Sequence, residues 1–191
     1  MDIRNKVSKI TVIAGLVAVL IVSGPLAFAK TIQSNKGSLS GTFVTANFSF
    51  DGVAPAILVT FSGTDNIGGP FTGQEVGEYS ATGISCTAPD GTDGTVFDLV
   101  QGVEVVTYQQ GQLYTAGAGA SAGSGCRSNT TGSFTVSQTH SVTGGTGKFV
   151  NASGAYGGTS IGQTLAAPGT PAGSLGVFGA FQGTESGSVA E

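Results

Sequence analysis

Glycine limits what this chain can fold into more than any other residue does. The sequence has 33 glycines in 191 residues, and they recur at short intervals from Gly37 to Gly187. Because each glycine inside a helix costs about 1 kcal/mol relative to alanine, long helices are disfavoured over this span. No apolar period of 3.6 residues is sustained there either. Short alternating runs between turn signals predict an all-β fold instead.

The alternating runs predict nine strands. They are Ser40–Phe50, Ala56–Ser62, Glu75–Ser85, Thr95–Gln101, Val103–Gln109, Gln112–Ala118, Gly132–Val142, Ala152–Ser160 and Ser174–Thr184. A sheet of about eight short antiparallel strands has exposed edges unless it closes, so a closed antiparallel barrel of about eight strands is the favoured architecture. A two-sheet sandwich is the alternative. Its immunoglobulin form is disfavoured because the chain has no tryptophan.

The N-terminus has the three parts of a secretory signal peptide. Three basic side chains lie in the first nine residues, an apolar and helical stretch follows, and an A-x-A site ends at Ala29. Cleavage after Ala29 gives a signal peptide over 1–29 and one β-barrel domain over 30–191. The protein is therefore expected to be secreted or periplasmic, with no membrane span after cleavage. A retained anchor is the alternative, because the apolar stretch is nearly long enough to cross a bilayer.

The charge of the exported part excludes one class of partner. Four basic side chains stand against ten acidic ones, a net charge of about −6. A chain this acidic does not follow a phosphate backbone, so no nucleic acid partner is expected. The turn Asp90–Gly94 has two acids and no downstream glutamate, which favours turn chemistry over a calcium loop. No metal and no other cofactor is predicted.

Cys86 and Cys126 are the only cysteines. In an oxidising compartment two such residues most often pair, so a disulfide is predicted. It would close a loop of about 40 residues and contribute about 4 kcal/mol to stability. Two distant cysteines and one histidine do not form a zinc site. The small-residue segment 114–132 is interpreted as a flexible loop that is held at Cys126.

A cluster of glycines surrounds Lys148 and Phe149. A phosphate loop would need a hydroxyl residue after the lysine and a helix beyond it, and this sequence has neither. The cluster is therefore interpreted as a turn. Gly144, Gly145 and Gly147 are expected to take positive φ and to bend the strand that ends at Val142 into the next one. Phe149 is expected to plug that end of the barrel.

The same segment carries a family resemblance. The run from Thr143 to Phe149, followed by Ala152-Ser153-Gly154, resembles the GGTG-[KR]-F-x-x-A-x-G signature of the allene oxide cyclase and dirigent barrel superfamily. The chain is similar in particular to small exported bacterial members, which also have a cysteine before a DG turn and a second cysteine before the GGTG strand.

The resemblance implies an eight-stranded antiparallel barrel with an apolar interior, often a homo-oligomer. It does not supply a catalytic set, because the acidic and arginine residues of the plant enzymes cannot be placed on this chain. Arg127 is the only arginine after the signal segment.

His140 and Glu104 are the candidates for catalysis. His140 shares a strand face with Phe134, Val136, Gln138 and Val142, which is expected to be the interior face. Near the barrel mouth His140 could act as a general acid or base or bind a ligand, and a histidine with only a structural hydrogen bond is the alternative.

The orientation of Glu104 stays open, because both faces of its strand carry valine. If its side chain points inward, Glu104 is a buried carboxylate with a raised pKa. If its side chain points outward, Glu104 is a solvated charge.

The tyrosines add candidate ligand-binding residues. Each offers an apolar ring and a polar tip. Tyr108 and Tyr114, together with Gln138 and His140, are the ligand-binding candidates; Tyr79 and Tyr156 could also line a pocket. The alternative is that these rings only complete the core.

Three functions remain compatible with this sequence. The first is an exported binding or envelope-associated module for a small apolar ligand. The second is a cyclase or isomerase acting on an apolar unsaturated substrate, in which Glu104, His140 or a tyrosine stabilises developing charge. The third is a surface or adhesive protein whose glycine-rich loops contact other chains. A serine-hydrolase elbow of the G-x-S-x-G type is absent from the sequence.

Overall fold

The computed structural model describes residues 31–46, 48–50, 52, 55–165 and 178–191. The predicted signal peptide and its cleavage site lie outside the described residues, as do positions 174–177 of the last predicted strand. Within the described ranges, no helix has the length and apolar character needed to cross a membrane.

The described chain is all-β, which confirms the predicted class. One 3₁₀ turn, Gly147–Phe149, is inserted between the seventh and eighth strands. The strands are β1 (Ile32–Thr45), β2 (Ala56–Asp65), β3 (Gly69–Thr87), β4 (Asp93–Tyr108), β5 (Gly111–Ala118), β6 (Gly123–Ser128), β7 (Ser133–Gly145), β8 (Ser153–Leu165) and β9 (Phe178–Ala190).

Eight of these strands pair in a closed ring. The order is β1-β2-β3-β4-β5-β7-β8-β9, and β9 returns to pair with β1. Every pairing is antiparallel. β6 follows β5 end to end, since β5 pairs with the second half of β4 and β6 with the first half. The two short strands therefore share one place in the ring.

Two of the predicted strands are one strand in the structure. The sequence predicts a break at Gly102, between Thr95–Gln101 and Val103–Gln109. In the structure β4 runs from Asp93 to Tyr108 without a break. Gly102 is held in extended conformation because it pairs with Gly77 of β3 on one side and with Gly117 of β5 on the other.

The prediction of a flexible loop over 114–132 is wrong. β5 extends to Ala118 and β6 spans Gly123–Ser128, so most of the segment lies in the sheet. The residues of this segment are small because side chains of the neighbouring strand β4 pack closely against its backbone. A Cβ on Gly125 would lie 2.4 Å from the Cζ atom of Phe97, and a Cβ on Gly123 would lie 2.9 Å from the Cβ of Leu99.

The predicted disulfide is confirmed, and it links strands that are not neighbours. Cys86 lies on β3 and Cys126 on β6, with β4 between them. Their Cα atoms are 6.1 Å apart. Three flat neighbouring strands would separate the outer two by about 9.5 Å. The sheet is therefore sharply curled at this point, and Gly94 of β4 lies beneath the bond, with no side chain to obstruct it.

The inner face of the ring is divided into two parts. At one end, called here the core end, twelve buried residues pack together, including Phe71, Tyr108, Leu113 and Phe149. Glycines let the rings approach the backbone: a Cβ on Gly73 would lie 2.1 Å from the Cζ atom of Phe61. At the other end, called here the pocket end, the inner face lines a cavity.

The glycine cluster forms the turn at the core end. Gly144 has φ 132° and Gly147 has φ 57°, as expected. Gly145 does not have positive φ, so that expectation is wrong for it. Gly145 is required for a different reason, because a Cβ there would lie 2.0 Å from the carbonyl oxygen of Gln112. Phe149 closes this end, and its side chain is fully buried.

Candidate functional site

The pocket end holds a cavity of about 90 Å³. Its lining comes from the strand ends of the ring and is mostly apolar. Four polar side chains and one arginine complete it. The lining residues are Phe43, Pro55, Ile57, Val59, Glu75, Tyr79, Phe97, Arg127, Phe134, Val136, Gln138, Ser160, Thr164 and Phe181. A cavity of this size is below the usual range for drug-sized ligands, so it suits a small or narrow molecule.

Five aromatic rings form much of the cavity wall. Phe43 and Phe134 meet edge to face with ring centroids 5.8 Å apart. Tyr79 and Phe97 make a second such pair at 5.6 Å. Phe181 is the fifth ring. Edge-to-face pairs fix the ring orientations, so the wall presents ordered π faces and edges to an occupant.

Glu75 is the acidic side chain among the described residues that line the cavity. The Gln138 Nε2 donates to Glu75 Oε1 at 3.0 Å and to the Tyr79 hydroxyl oxygen at 2.5 Å. Burial raises the pKa of Glu75 to about 7, although hydrogen bonds from Gln138 and Tyr79 lower it in part. Near neutral pH this carboxyl group therefore exists in both protonation states.

Glu104 and His140 lie next to this carboxyl group. A Cβ on Gly102 would lie 3.4 Å from Glu75 Oε1 and 3.5 Å from the Cε1 atom of His140. Thr115 Oγ1 lies 3.5 Å from Glu104 Oε1 and 3.4 Å from His140 Nδ1. Glu104 faces inward, since it shares a face with buried Val106 and Tyr108. The orientation that the sequence left open is thereby settled.

The electrostatics of this cluster follow from burial. Burial raises the pKa of Glu104 well above its ordinary value, and the charges of Glu75 and Glu185 raise it further. Burial also lowers the pKa of His140, so the imidazole is neutral at pH 7. His140 is only 2% exposed, and its Nε2 has no hydrogen-bond partner among the described residues.

A second set of polar groups continues toward the core end. The Tyr108 hydroxyl donates to Asp65 Oδ2 at 2.5 Å, and the Tyr156 hydroxyl donates to Glu185 Oε1 at 2.5 Å. Burial is the largest cause that raises the pKa of each phenol; Asp65 raises the pKa of Tyr108 further, and Tyr108, Glu104 and Glu185 raise that of Tyr156. Burial also raises the pKa of Glu185 to about 7. These pairs satisfy polar atoms in the packed core and lie apart from the cavity lining.

The predicted site residues are divided between these regions. Gln138 lines the cavity, and His140 and Glu104 lie deeper, next to Glu75. Tyr108 is in the core and does not line the cavity. Tyr114 lies on the outer face, where its hydroxyl donates to Gln112 Oε1 at 3.0 Å. The periodicity of the strands did not distinguish these positions, because both faces carry valines and tyrosines.

Glu75 was not predicted as a site residue. The predicted strand began at Glu75, whereas β3 begins at Gly69. With the earlier start, the alternation Phe71, Gly73, Glu75 and Gly77 marks one inward face, all of it buried. Tyr79 continues this alternation into the cavity lining. The register shift opposite Glu78 and Tyr79 leaves Val100 of β4 as the extra residue of a bulge, and it turns Leu99 and Phe97 of β4 inward. The alternation was readable from the sequence, but the bulge was not.

The raised pKa values predict how stability depends on pH. Glu75 keeps its proton in the folded state up to about pH 7, whereas the unfolded chain loses it near pH 4.5. The unfolded state then binds fewer protons, so the free energy of unfolding falls as pH rises between these values. The expected loss is about 3 kcal/mol for this group. Urea unfolding from pH 4.5 to 8 measures it.

Glu75→Gln is the control for this pH dependence. Three titratable side chains face Glu75: Tyr79 on β3, Glu104 on β4 and His140 on β7. The pKa values of Glu104 and Glu185 are also raised in the folded state, so their titration lowers stability in the same direction as that of Glu75. The variant should therefore reduce the pH slope without abolishing it. A slope that is unchanged in the variant would contradict the assignment to Glu75.

The described residues contain no group of three or more histidine, cysteine or acidic side chains arranged to hold a metal ion. Comparison of the chain with family models, with curated proteins and with solved structures gives no match.

Proposed function

We propose that the ring is a barrel of the allene oxide cyclase type and that this exported protein binds a small apolar ligand in the pocket-end cavity. The observation that supports the proposal is the cavity lining. Five aromatic and four aliphatic or proline side chains surround it, with Glu75, Tyr79 and Gln138 grouped on one side. An apolar cavity with a few convergent polar groups is the usual form of a small-molecule site.

The lining indicates the shape of the ligand. Its apolar body lies against the rings of Phe43, Phe97 and Phe134, and one polar group lies at Glu75 and Gln138. A cavity of about 90 Å³ is smaller than the cavity of about 150 Å³ that holds benzene, so the cavity takes one part of an aromatic ligand and the rest is directed outward.

A matched pair of variants tests ligand binding. Val136 lines the cavity, and Val105 is an exposed valine on β4. Val136→Phe places a phenyl ring in the cavity, so we expect it to weaken binding of benzyl alcohol at least tenfold. Val105→Phe adds the same group outside and should leave the affinity unchanged. NMR titration gives the affinities, and melting temperatures show that both variants fold.

The proposal fails if wild-type protein binds no small apolar probe, or if Val136→Phe binds benzyl alcohol as well as the wild type does. Equal loss of binding in both variants would place the probe on the outer surface.

One observation favours a second candidate, an isomerase that moves a proton on an apolar substrate. Glu75, with a pKa of about 7 and with Glu104 nearby, has the properties of a general acid or base at neutral pH. This activity would act on a ligand bound in the same cavity.

A further inference from the structure

We infer that the preferred ligand of the pocket-end cavity is a small organic cation, an apolar or aromatic amine, whose ammonium group lies at Glu75. This inference rests on the proposed function, because it assigns the chemical class of the ligand in that cavity. Three observations support it: the aromatic wall of the cavity, the hydrogen-bond partners of Glu75, and the charged groups that face Glu75.

The wall offers the surface that an ammonium group favours. Phe43, Tyr79, Phe97, Phe134 and Phe181 all line the cavity. A cation within about 6 Å of an aromatic centroid is attracted by the negative face of the ring, and this attraction is strongest where water is excluded. Recognition of ammonium ligands by several rings around one carboxylate uses the same interaction. A neutral aromatic ligand would gain contact area and ring–ring contacts, but not the attraction between a full positive charge and the ring faces.

Glu75 has neutral partners in the described part of the chain. Gln138 donates an amide N–H to it, and the Tyr79 phenol provides its other hydrogen bond. Neither group compensates a full negative charge. An ammonium group would supply a charge-assisted hydrogen bond, which is about twice as strong as a neutral one.

The titratable groups that face Glu75 do not supply a cation. Tyr79 is on the same strand, Glu104 faces it from β4, and the neutral His140 faces it from β7. Glu104 adds a second negative charge beside Glu75 when it ionises. The inner part of the cavity is therefore selective for positive charge.

Among the described residues, Arg127 is the one basic side chain that lines the cavity, and its backbone lies farther along the strand direction. Arg127 pairs with Phe134, which is four residues from Gln138 along β7. Four residues of a strand span about 13 Å. At the backbone, Arg127 therefore lies about 13 Å along the strands from Gln138, which donates to Glu75.

Binding of a cation should be coupled to loss of a proton. The free protein holds Glu75 partly protonated near neutral pH, and an ammonium group favours its ionised form. We therefore expect the affinity for an amine to rise with pH from 5.5 to 8, while the affinity for a neutral analogue of equal size does not.

Three probes of similar size test the inference: benzylammonium, benzyl alcohol and benzoate. At pH 8 we expect benzylammonium to bind at least tenfold more tightly than benzyl alcohol, with this ratio close to one at pH 5.5. In Glu75→Gln the ratio should be close to one at both pH values. Calorimetry in two buffers of different ionisation enthalpy should detect proton release on amine binding in the wild type alone.

The outcomes separate this inference from the proposed function. If benzyl alcohol binds in the cavity but benzylammonium binds no better at pH 8, the cavity exists and the inference is wrong. Tighter binding of benzoate than of benzylammonium would also overturn it and assign the polar end to Arg127. If no probe binds, the proposed function itself fails. Retained amine preference in Glu75→Gln would show that another group binds the cation.

Discussion

Replacing Phe149 by alanine is expected to lower the free energy of unfolding by about 3 to 5 kcal/mol. Its side chain is fully buried at the core end, and its ring centroid lies 5.0 Å from that of Tyr108. Gly145, with no side chain, passes over Phe149 at a distance that a Cβ would not allow. The closed ring of strands holds the surrounding backbone in place, so the backbone cannot collapse fully into the space left by the phenyl group.

Val150→Ala is the matched control, because Val150 follows directly and is 62% exposed. It should change stability by no more than about 0.5 kcal/mol. Urea unfolding followed by tyrosine fluorescence measures both variants. Phe149→Ala within 1 kcal/mol of wild type would show that the core end is not closed by this residue.

Loss of the disulfide is expected to have an effect of similar size. The bond joins residues 40 positions apart, so breaking it adds about 4 kcal/mol of conformational freedom to the unfolded chain. Cys86→Ala/Cys126→Ala should therefore unfold at a much lower urea concentration than the wild type. Reduction of the wild type should give nearly the same shift.

The two single variants, Cys86→Ala and Cys126→Ala, are the controls, because each already prevents the bond. Each should lose nearly as much stability as the double variant. Single variants that lose less than half of the double variant's effect would show that side-chain packing, and not the cross-link, accounts for the loss. A double variant as stable as the oxidised protein would contradict the expected role of the bond.

The sequence predicted the parts of the fold that local patterning controls. The alternation along β7 placed Phe134, Gln138 and His140 on one inward face, as the structure shows. The presence of only two cysteines, in a chain expected to enter an oxidising compartment, predicted the disulfide. Both predictions depend only on the two-residue period of a strand or on the chemistry of two cysteines.

Long-range packing decided what the sequence did not predict. β6 resembled a loop because Gly123 and Gly125 have no side chains. The neighbouring strands leave no room for a Cβ at these positions: Leu99 lies against Gly123, and Phe97 and the Thr135 carbonyl oxygen lie against Gly125. Gly102 looked like a strand break, but its two neighbouring strands keep it extended. Glu75 gained its importance from residues about 60 positions away, such as Gln138. No local pattern contains such partners.

The outer face at the pocket end also has exposed apolar side chains, which makes the location of a bound ligand an essential test. Leu58, Val44, Phe178 and Leu165 lie opposite one another across β2, β1, β9 and β8. Each is between 39% and 53% exposed. An apolar probe could therefore bind to this outer row instead of the cavity.

Intermolecular nuclear Overhauser effects from a bound aromatic probe distinguish these two surfaces and test the central claim, a ligand cavity inside the ring. We predict contacts from the probe to the Val136 methyl groups and to the rings of Phe43 and Phe134. The same probe should show no contacts to Leu58 or Leu165. Contacts confined to Leu58, Val44, Phe178 and Leu165, with none to Val136, would contradict the account.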